Sequence, residues 1–360
     1  MRNTSRRAGR AAVTALCGAA VVGGLVPALT LTTPAAAATE KARVSVVAGG
    51  GAAYQGTRGR DVVIVTRAGT NAAPLLNFKG TAPLTVGAGC TPVAGDSTRA
   101  LCTAPKDASG QLRGFTVSTG DGDDSVANAT PNVPITASLG AGRDSVNGGA
   151  GNDLLSGSDG DDLLRGHGGD DTLHGSFGAD TLDGGAGNDD DLFGGPDADI
   201  LLGGLGDGDD LNGGTGADRM DGGAGQNDTL LYNDRTAAVS INLTQGTAGS
   251  AGESDVVVGG FEVAFGGTGN DTLTGGSGDD ALFGGAGNDV IQGMRGADIL
   301  VGDAGDDFLI AGPTQLFGGT EPNRDGAVDG LNGRQGQDSC LRSPSDVDRA
   351  LECEQVISVD

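Results

Sequence analysis

Tryptophan is absent from this 360-residue chain, which also has only two Tyr and two His. Aromatic residues make up 3% of it, too few for a conventional compact core. No H-E-x-x-H occurs, which excludes the metzincin type of zinc protease, and no G-x-S-x-G occurs, which removes the nucleophile elbow of the lipase type. An EF-hand needs a twelfth-position Glu between flanking helices, and neither is found. Strong helix formers are scarce beyond the first 40 residues. Catalysis has no visible site, and the chain reads as a non-enzyme.

Glycine, by contrast, is abundant at 70 residues. It is unfavourable in helix interiors and in ordinary strands. It does not recur at every third residue, so a collagen-like fibre is excluded. A disordered acidic tail would share the low aromatic content and high charge. A strict period with a fixed apolar position argues against it, because disorder needs no register.

The formal charge is −26. Residues 1–38 read as a signal peptide: Arg2, Arg6, Arg7 and Arg10 lead, an apolar stretch follows from Ala11 to about Leu31, and "TPAAAATE" offers cleavage near Ala38. A retained membrane anchor is the alternative. Arg6-Arg7 hints at twin-arginine export, so the sequence leaves the route open. Cleavage removes four of the 22 basic residues and none of the 48 acidic ones, taking the charge from −26 to −30. Such a surface repels nucleic acid and anionic lipid and points to cations as partners. No membrane insertion is expected, and the protein is expected to be secreted and extracellular.

Cys17 leaves with the leader, and Cys90, Cys102, Cys340 and Cys353 remain. An exported chain permits disulfides. Four Cys allow three connectivities, of which the local pairs Cys90–Cys102 and Cys340–Cys353 are the simplest. A zinc site is the competing reading, without a C-x-x-C to support it.

Residues 39–118 read as a small β-rich N-terminal region, from "RVSVVAG", "RDVVIVTR" and "GFTVST". A beat of nine appears faintly in "TGDGDDSVA" and "LGAGRDSVN" and settles at Gly148. The first array, residues 119–231, places an Asp two positions before a large apolar residue in every regular unit. These are Asp153, Asp162, Asp171, Asp180, Asp190, Asp199, Asp209, Asp218 and Asp228. The second array, residues 266–310, repeats this at Asp271, Asp280, Asp289, Asp298 and Asp307. Units starting at Gly184, Gly203 and Gly222 have ten residues, so the extra one must lie in a turn. Residues 232–265 break the beat and read as wider coils or a hairpin within the same stack. Residues 311–360 keep a distorted beat, with an expanded turn in "GGTEPNRDGAVDGLN", and suit a cap.

The unit G-G-x-G-x-D-x-U-x, with U apolar, explains itself physically. Its last three residues can form a short strand with U inward, and its first six a turn. Glycine there permits positive φ and close backbone approach, leaving carbonyls to face the groove between turns, where Asp adds a carboxylate. Two strands and two turns make an eighteen-residue coil, so each unit stacks on the next but one, about 4.8 Å away. A groove of carbonyl and carboxylate oxygens suits calcium, which takes six to eight oxygens in irregular geometry. Magnesium is stricter, and transition metals prefer nitrogen and sulfur.

The units resemble the nonapeptide repeats of hemolysin-type, or RTX, calcium-binding proteins over roughly residues 119–340. "GFEV" at Gly260–Val263 and the Cys-flanked ending resemble secreted bacterial members. The resemblance implies an all-β fold, a right-handed parallel β-roll. It makes the fourteen Asp carboxylate ligands of Ca2+, completed by turn carbonyls of Gly148, Gly157, Gly275, Gly284 and their equivalents. By the stacking rule the arrays hold up to about ten ions. Departures are Asp197 in place of a turn Gly, preceded by Pro196, and the ten-residue turns.

A structural or adhesive role is expected, with a protein or glycan partner unspecified. A cytolytic role would require a membrane-active segment. An enzyme with its chemistry in residues 41–118 would be a third class. His167, in a turn, and His174, on an outer strand position, are further candidate nickel or zinc ligands. Outer residues of the second array turn apolar (Phe283, Val290, Ile299, Val301, Phe308, Ile310), and the tail with Val356, Ile357 and Val359 is expected to pack over them.

Overall fold

In the computed structural model, the residues described are 42–46, 52–69, 74–80, 83–104, 106, 112–312, 330–342, 349–351, 353 and 355–358. The signal segment expected at 1–38 and most of the expanded turn expected at 318–332 lie outside them. Residues 40–360 form one compact unit. Among the described residues there is no helix. The chain forms stacked parallel coils, a β-solenoid of about ten turns that matches a β-roll.

The apolar beat dictates this architecture. Leu154–Asp159 pairs in parallel with Thr172–Phe177, setting Leu155 beside Leu173. Leu163–Gly168 pairs likewise with Thr181–Ala186, setting Leu164 beside Leu182. Each unit therefore stacks on the next but one, and alternate units build two facing sheets. Leu155, Leu164, Leu173, Leu182, Leu192, Leu201 and Leu211 are all fully buried between them. Each contributes about 1.5–3 kcal/mol when taken out of water.

One local expectation is corrected. Strands run for six residues rather than three, as in Thr181–Ala186, because the two leading glycines of the next unit and the residue after them join the ladder. The first of them faces inward beside Leu, where the lack of a side chain leaves room. The second takes positive φ, for instance 113° at Gly185.

The same sheets run beyond the arrays. Ala52–Gln55 stacks on Phe115–Asp121, and Val62–Gly69 stacks on Ser125–Ala129. An antiparallel meander of Pro74–Lys79, Asp96–Thr103 and Cys90–Val93 follows. There Cys90 and Cys102 lie directly opposite one another and are disulfide-bonded. In the insert, Ser240–Asn242, Thr247–Ala248 and Asp255–Val257 form a three-stranded antiparallel meander inside one sheet. Its last strand stacks on Arg219–Ala224 and its first on Thr272–Thr274. The insert is thus an antiparallel meander built into the parallel stack.

At the other end Ser339–Arg342 stacks on Phe308–Ile310, and Cys340 is bonded to Cys353. Gln355–Ser358 pairs in plane with Ser339–Arg342. The described part of the tail therefore adds a rung to the sheet instead of lying across the outer face. On that face Val301 and Ile310 are buried, whereas Ile299 is exposed.

Candidate metal centre

Every turn brings its Asp to the same place, inside the coil and just ahead of the inward Leu. All fourteen Asp predicted from the repeat are buried, none more than 5% exposed. One carboxylate oxygen of each except Asp280 accepts a main-chain N–H from the adjacent coil, forming a ladder along the stack. The main-chain N–H of Asp153 donates to Asp171 Oδ1 at 2.7 Å, and that of Asp171 to Asp190 Oδ1 at 2.7 Å. The series continues through Asp209 to Asp228 and ends with Asp228 N–H on Glu262 Oε2. The opposite edge carries Asp162, Asp180, Asp199 and Asp218 in the same way. In the second array Asp271 donates to Asp289 and Asp289 to Asp307, while Asp280 donates to Asp298.

The other oxygen is what makes this a candidate site. Oδ2 of Asp153, Asp162, Asp171, Asp180, Asp190, Asp199, Asp209, Asp218, Asp228, Asp289 and Asp307 is buried without a hydrogen-bond partner. A bare carboxylate out of water is costly and must be neutralised by a proton or a cation. Burial accordingly pushes Asp153, Asp162, Asp171, Asp190, Asp199 and Asp289 up to about 7. Asp180, Asp209, Asp218, Asp280 and Asp307 rise to about 6 for the same reason. Asp271 and Asp280 differ from the rest: their Oδ2 atoms accept the N–H of Gly267 and Gly276, each at 2.6 Å.

Glycine supplies the remaining space and oxygen. A Cβ placed on Gly184 would stand 2.6 Å from Asp190 Oδ2 and 2.7 Å from the carbonyl oxygen of Gly203, on the adjacent coil. At Gly266 the corresponding oxygens are those of Asp271 and Gly284, at 2.6 and 2.5 Å. Carboxylate and carbonyl oxygens thus crowd over a Cα that has no side chain to exclude them. Among the described residues no three His, Cys, Asp or Glu side chains converge on one point. A cation in these turns would take only part of its shell from side chains and the rest from main-chain carbonyls. An all-oxygen, irregular donor set of this kind fits calcium.

Several acids in the ladders escape the repeat pattern. Asp61, Asp124 and Asp144 extend the Asp162 edge upward, Asp61 N–H donating to Asp124 and Asp124 to Asp144, both at 2.6 Å, and Asp144 to Asp162 at 2.8 Å. Asp255 extends the same edge downward from Asp218, and Asp338, legible in the nine-residue unit "GRQGQDSCL" ahead of Cys340, follows Asp307. Before Asp255 the turn-glycine positions hold Ser250, Ala251 and Glu253, which hid it, whereas Gly56 and Gly59 remain before Asp61. Each nevertheless keeps an apolar residue two places on: Val63, Val126, Val146, Val257 and Cys340. That signal alone would have found them.

A second ladder runs on the outside through a position the motif leaves open. Asp170 N–H donates to Asn152, Asn188 to Asp170, Asp207 to Asn188 and Gln226 to Asp207, at 3.0–3.2 Å. It points opposite to the inner one, so successive turns are tied in both directions. His167, with φ of 77°, contacts Asn147 Oδ1. His174 stacks on Phe193 with ring centroids 4.8 Å apart, and burial lowers its pKa. Neither belongs to a cluster of metal-binding side chains among the described residues.

No curated protein matches the chain in sequence. The family described as RTX calcium-binding nonapeptide repeat (4 copies) matches residues 136–164, 156–191, 174–209, 207–230, 256–291 and 283–313. Those segments are the ones in which unpartnered Asp oxygens and glycine cradles recur. Residues 136–313 thus carry calcium-binding nonapeptide repeats of the RTX family.

Proposed function

We propose that calcium in the turns is what folds this chain, and that the folded roll is a secreted structural or adhesive element without catalytic activity. The observation that carries the reading is the row of buried Asp Oδ2 atoms with no partner. Calcium supplies divalent charge to these oxygens. Except at Asp271 and Asp280, whose Oδ2 atoms accept turn N–H groups, the repeat Asp hold it through Oδ2 while Oδ1 keeps the coil register, and turn carbonyls complete the shell. Up to about ten ions fit the stacking of nine and five units, each ion needing six to eight oxygens. Ions that bind only the folded state shift folding by mass action.

Export is supported by the leader-like residues 1–38 and by two disulfides, which persist in oxidising compartments. The interior acids are committed to ladders and the inward apolar residues to packing, which supports a non-catalytic role. Isothermal titration of the chelated protein with calcium, read together with circular dichroism and light scattering, tests the proposal. Several ions per chain and a gain of β signal are expected. A spectrum identical in chelator and in calcium refutes it.

A further inference from the structure

The inner ladder of one edge is interrupted at the insert, and what stands at the break differs from every other rung. Asp255 accepts the N–H of Asp218 at 2.9 Å, as a ladder Asp should. Its Oδ2, however, accepts the hydroxyl of Tyr232 at 2.6 Å. The next ladder position is filled by Val239, buried, whose N–H donates to Asp271 Oδ1 at 2.7 Å. Valine offers no carboxylate, so the row of acids ends at Asp255 and starts again at Asp271.

Arg235 stands at this break. It is 9% exposed, its guanidinium lies 5.7 Å from the Tyr232 ring centroid, and Nη1 is 3.6 Å from Glu253 Oε1. Nε lies 3.8 Å from Asp234 Oδ1. Nε and Nη2 make no hydrogen bond, so charge rather than a bidentate fork holds the group. Its field acts on both Asp218 and Asp255, favouring their ionised forms. No other ladder Asp with a resolved shift feels a basic side chain. A guanidinium remains charged at any ordinary pH, and burying it is tolerable only beside acids that need it. Tyr232, Val239, Ile241 and Val257 of the insert are buried.

We propose that Arg235 is a built-in cation standing where the first calcium row of this edge ends, so that residues 232–257 form a metal-independent joint between two separately loading arrays. The proposal rests on the calcium reading above. Its consequence is that the roll retains a folded centre in chelator, from which each array grows as ions bind.

Hydrogen–deuterium exchange of the full chain, in chelator and through a calcium titration, tests it. In chelator, peptides from 232–257 should exchange at least about tenfold more slowly than those from 153–201 and 271–307, and calcium should slow only the latter. Arg235→Gln should abolish the protection of the joint in chelator, whereas Arg235→Lys, which keeps the charge, should retain most of it. Joint peptides exchanging as fast as the arrays in chelator would overturn the proposal, as would an Arg235→Gln protein with unchanged protection. Should that variant fail to fold even in calcium, the wild-type comparison decides alone. Arrays indifferent to calcium would instead refute the calcium reading itself, an outcome distinguishable from failure of the joint.

Discussion

At Asp171 the two carboxylate oxygens have different tasks. Oδ1 accepts the Asp153 N–H at 2.7 Å, while Oδ2 is buried without a partner. Asp171→Asn keeps an acceptor for the ladder and removes the charge. Titration calorimetry should therefore show at least one ion fewer per chain with the β spectrum in calcium largely intact. Leu182→Ala separates packing from ligation: stability in saturating calcium should fall by about 2–5 kcal/mol, with the ion count unchanged. The pH dependence follows from the raised carboxyls, which burial carries to about 6–7 at Asp153, Asp162, Asp171 and Asp180. Between the ordinary aspartate range and these values the folded metal-free chain binds more protons than the unfolded one. Its stabilisation by protons is then complete below the unfolded pKa and is lost as pH rises through 6–7. In chelator, the β signal should be stronger at pH 5 than at pH 7.5. Calcium affinity should move the other way and weaken on acidification, because protons and calcium compete for the same oxygens.

Among the elements, the three ten-residue turns show how an irregularity is accommodated. The units from Gly184, Gly203 and Gly222 alternate with nine-residue units, so their extra residues fall on one edge, directly above one another. Asp189, Gly208 and Asn227 all take positive φ, at 56°, 87° and 64°. Main-chain bonds join the widened turns, from Asp189 N–H to Asp207 O and from Gly208 N–H to Gln226 O. Deleting Gly208 alone should therefore lower the melting temperature in calcium more than deleting Asp189, Gly208 and Asn227 together, since the triple deletion leaves matched turns. The outer ladder is an element of the same kind. Asp170→Ala removes the acceptor for the N–H of Asn188, and a loss of about 0.5–1.5 kcal/mol is expected from chemical denaturation in calcium.

For the whole molecule, charge and topology set the behaviour together. A chain of formal charge −26 stacks its acids at the spacing of adjacent strands, about 4.8 Å, with only a narrow stripe of Leu buried between two sheets. Divalent cations offset the repulsion. Light scattering in chelator should report a larger hydrodynamic radius, contracting as calcium is added. The contraction should proceed in two stages if the arrays load separately on either side of the insert.

The beat of nine determined the parallel coils, the inward Leu and the fourteen acids, because strand alternation and the reach of a six-residue turn leave one way to bury that stripe. Local pairing of Cys90 with Cys102 and of Cys340 with Cys353 was legible for a similar reason, short loops being the simplest to close. The ladders were not legible, since a bond from Asp153 to Asp171 depends on coils stacking and not on either residue's neighbours. For the same reason only the tertiary structure gave Asp61, Asp124, Asp144 and Asp255 their places in the row, set the outer Asn and Asp ladder running the opposite way, and brought Arg235 to the break. Sequence period fixes what one coil does; what passes between coils is decided by stacking, where residues far apart along the chain come to share a proton, a hydrogen bond or a charge.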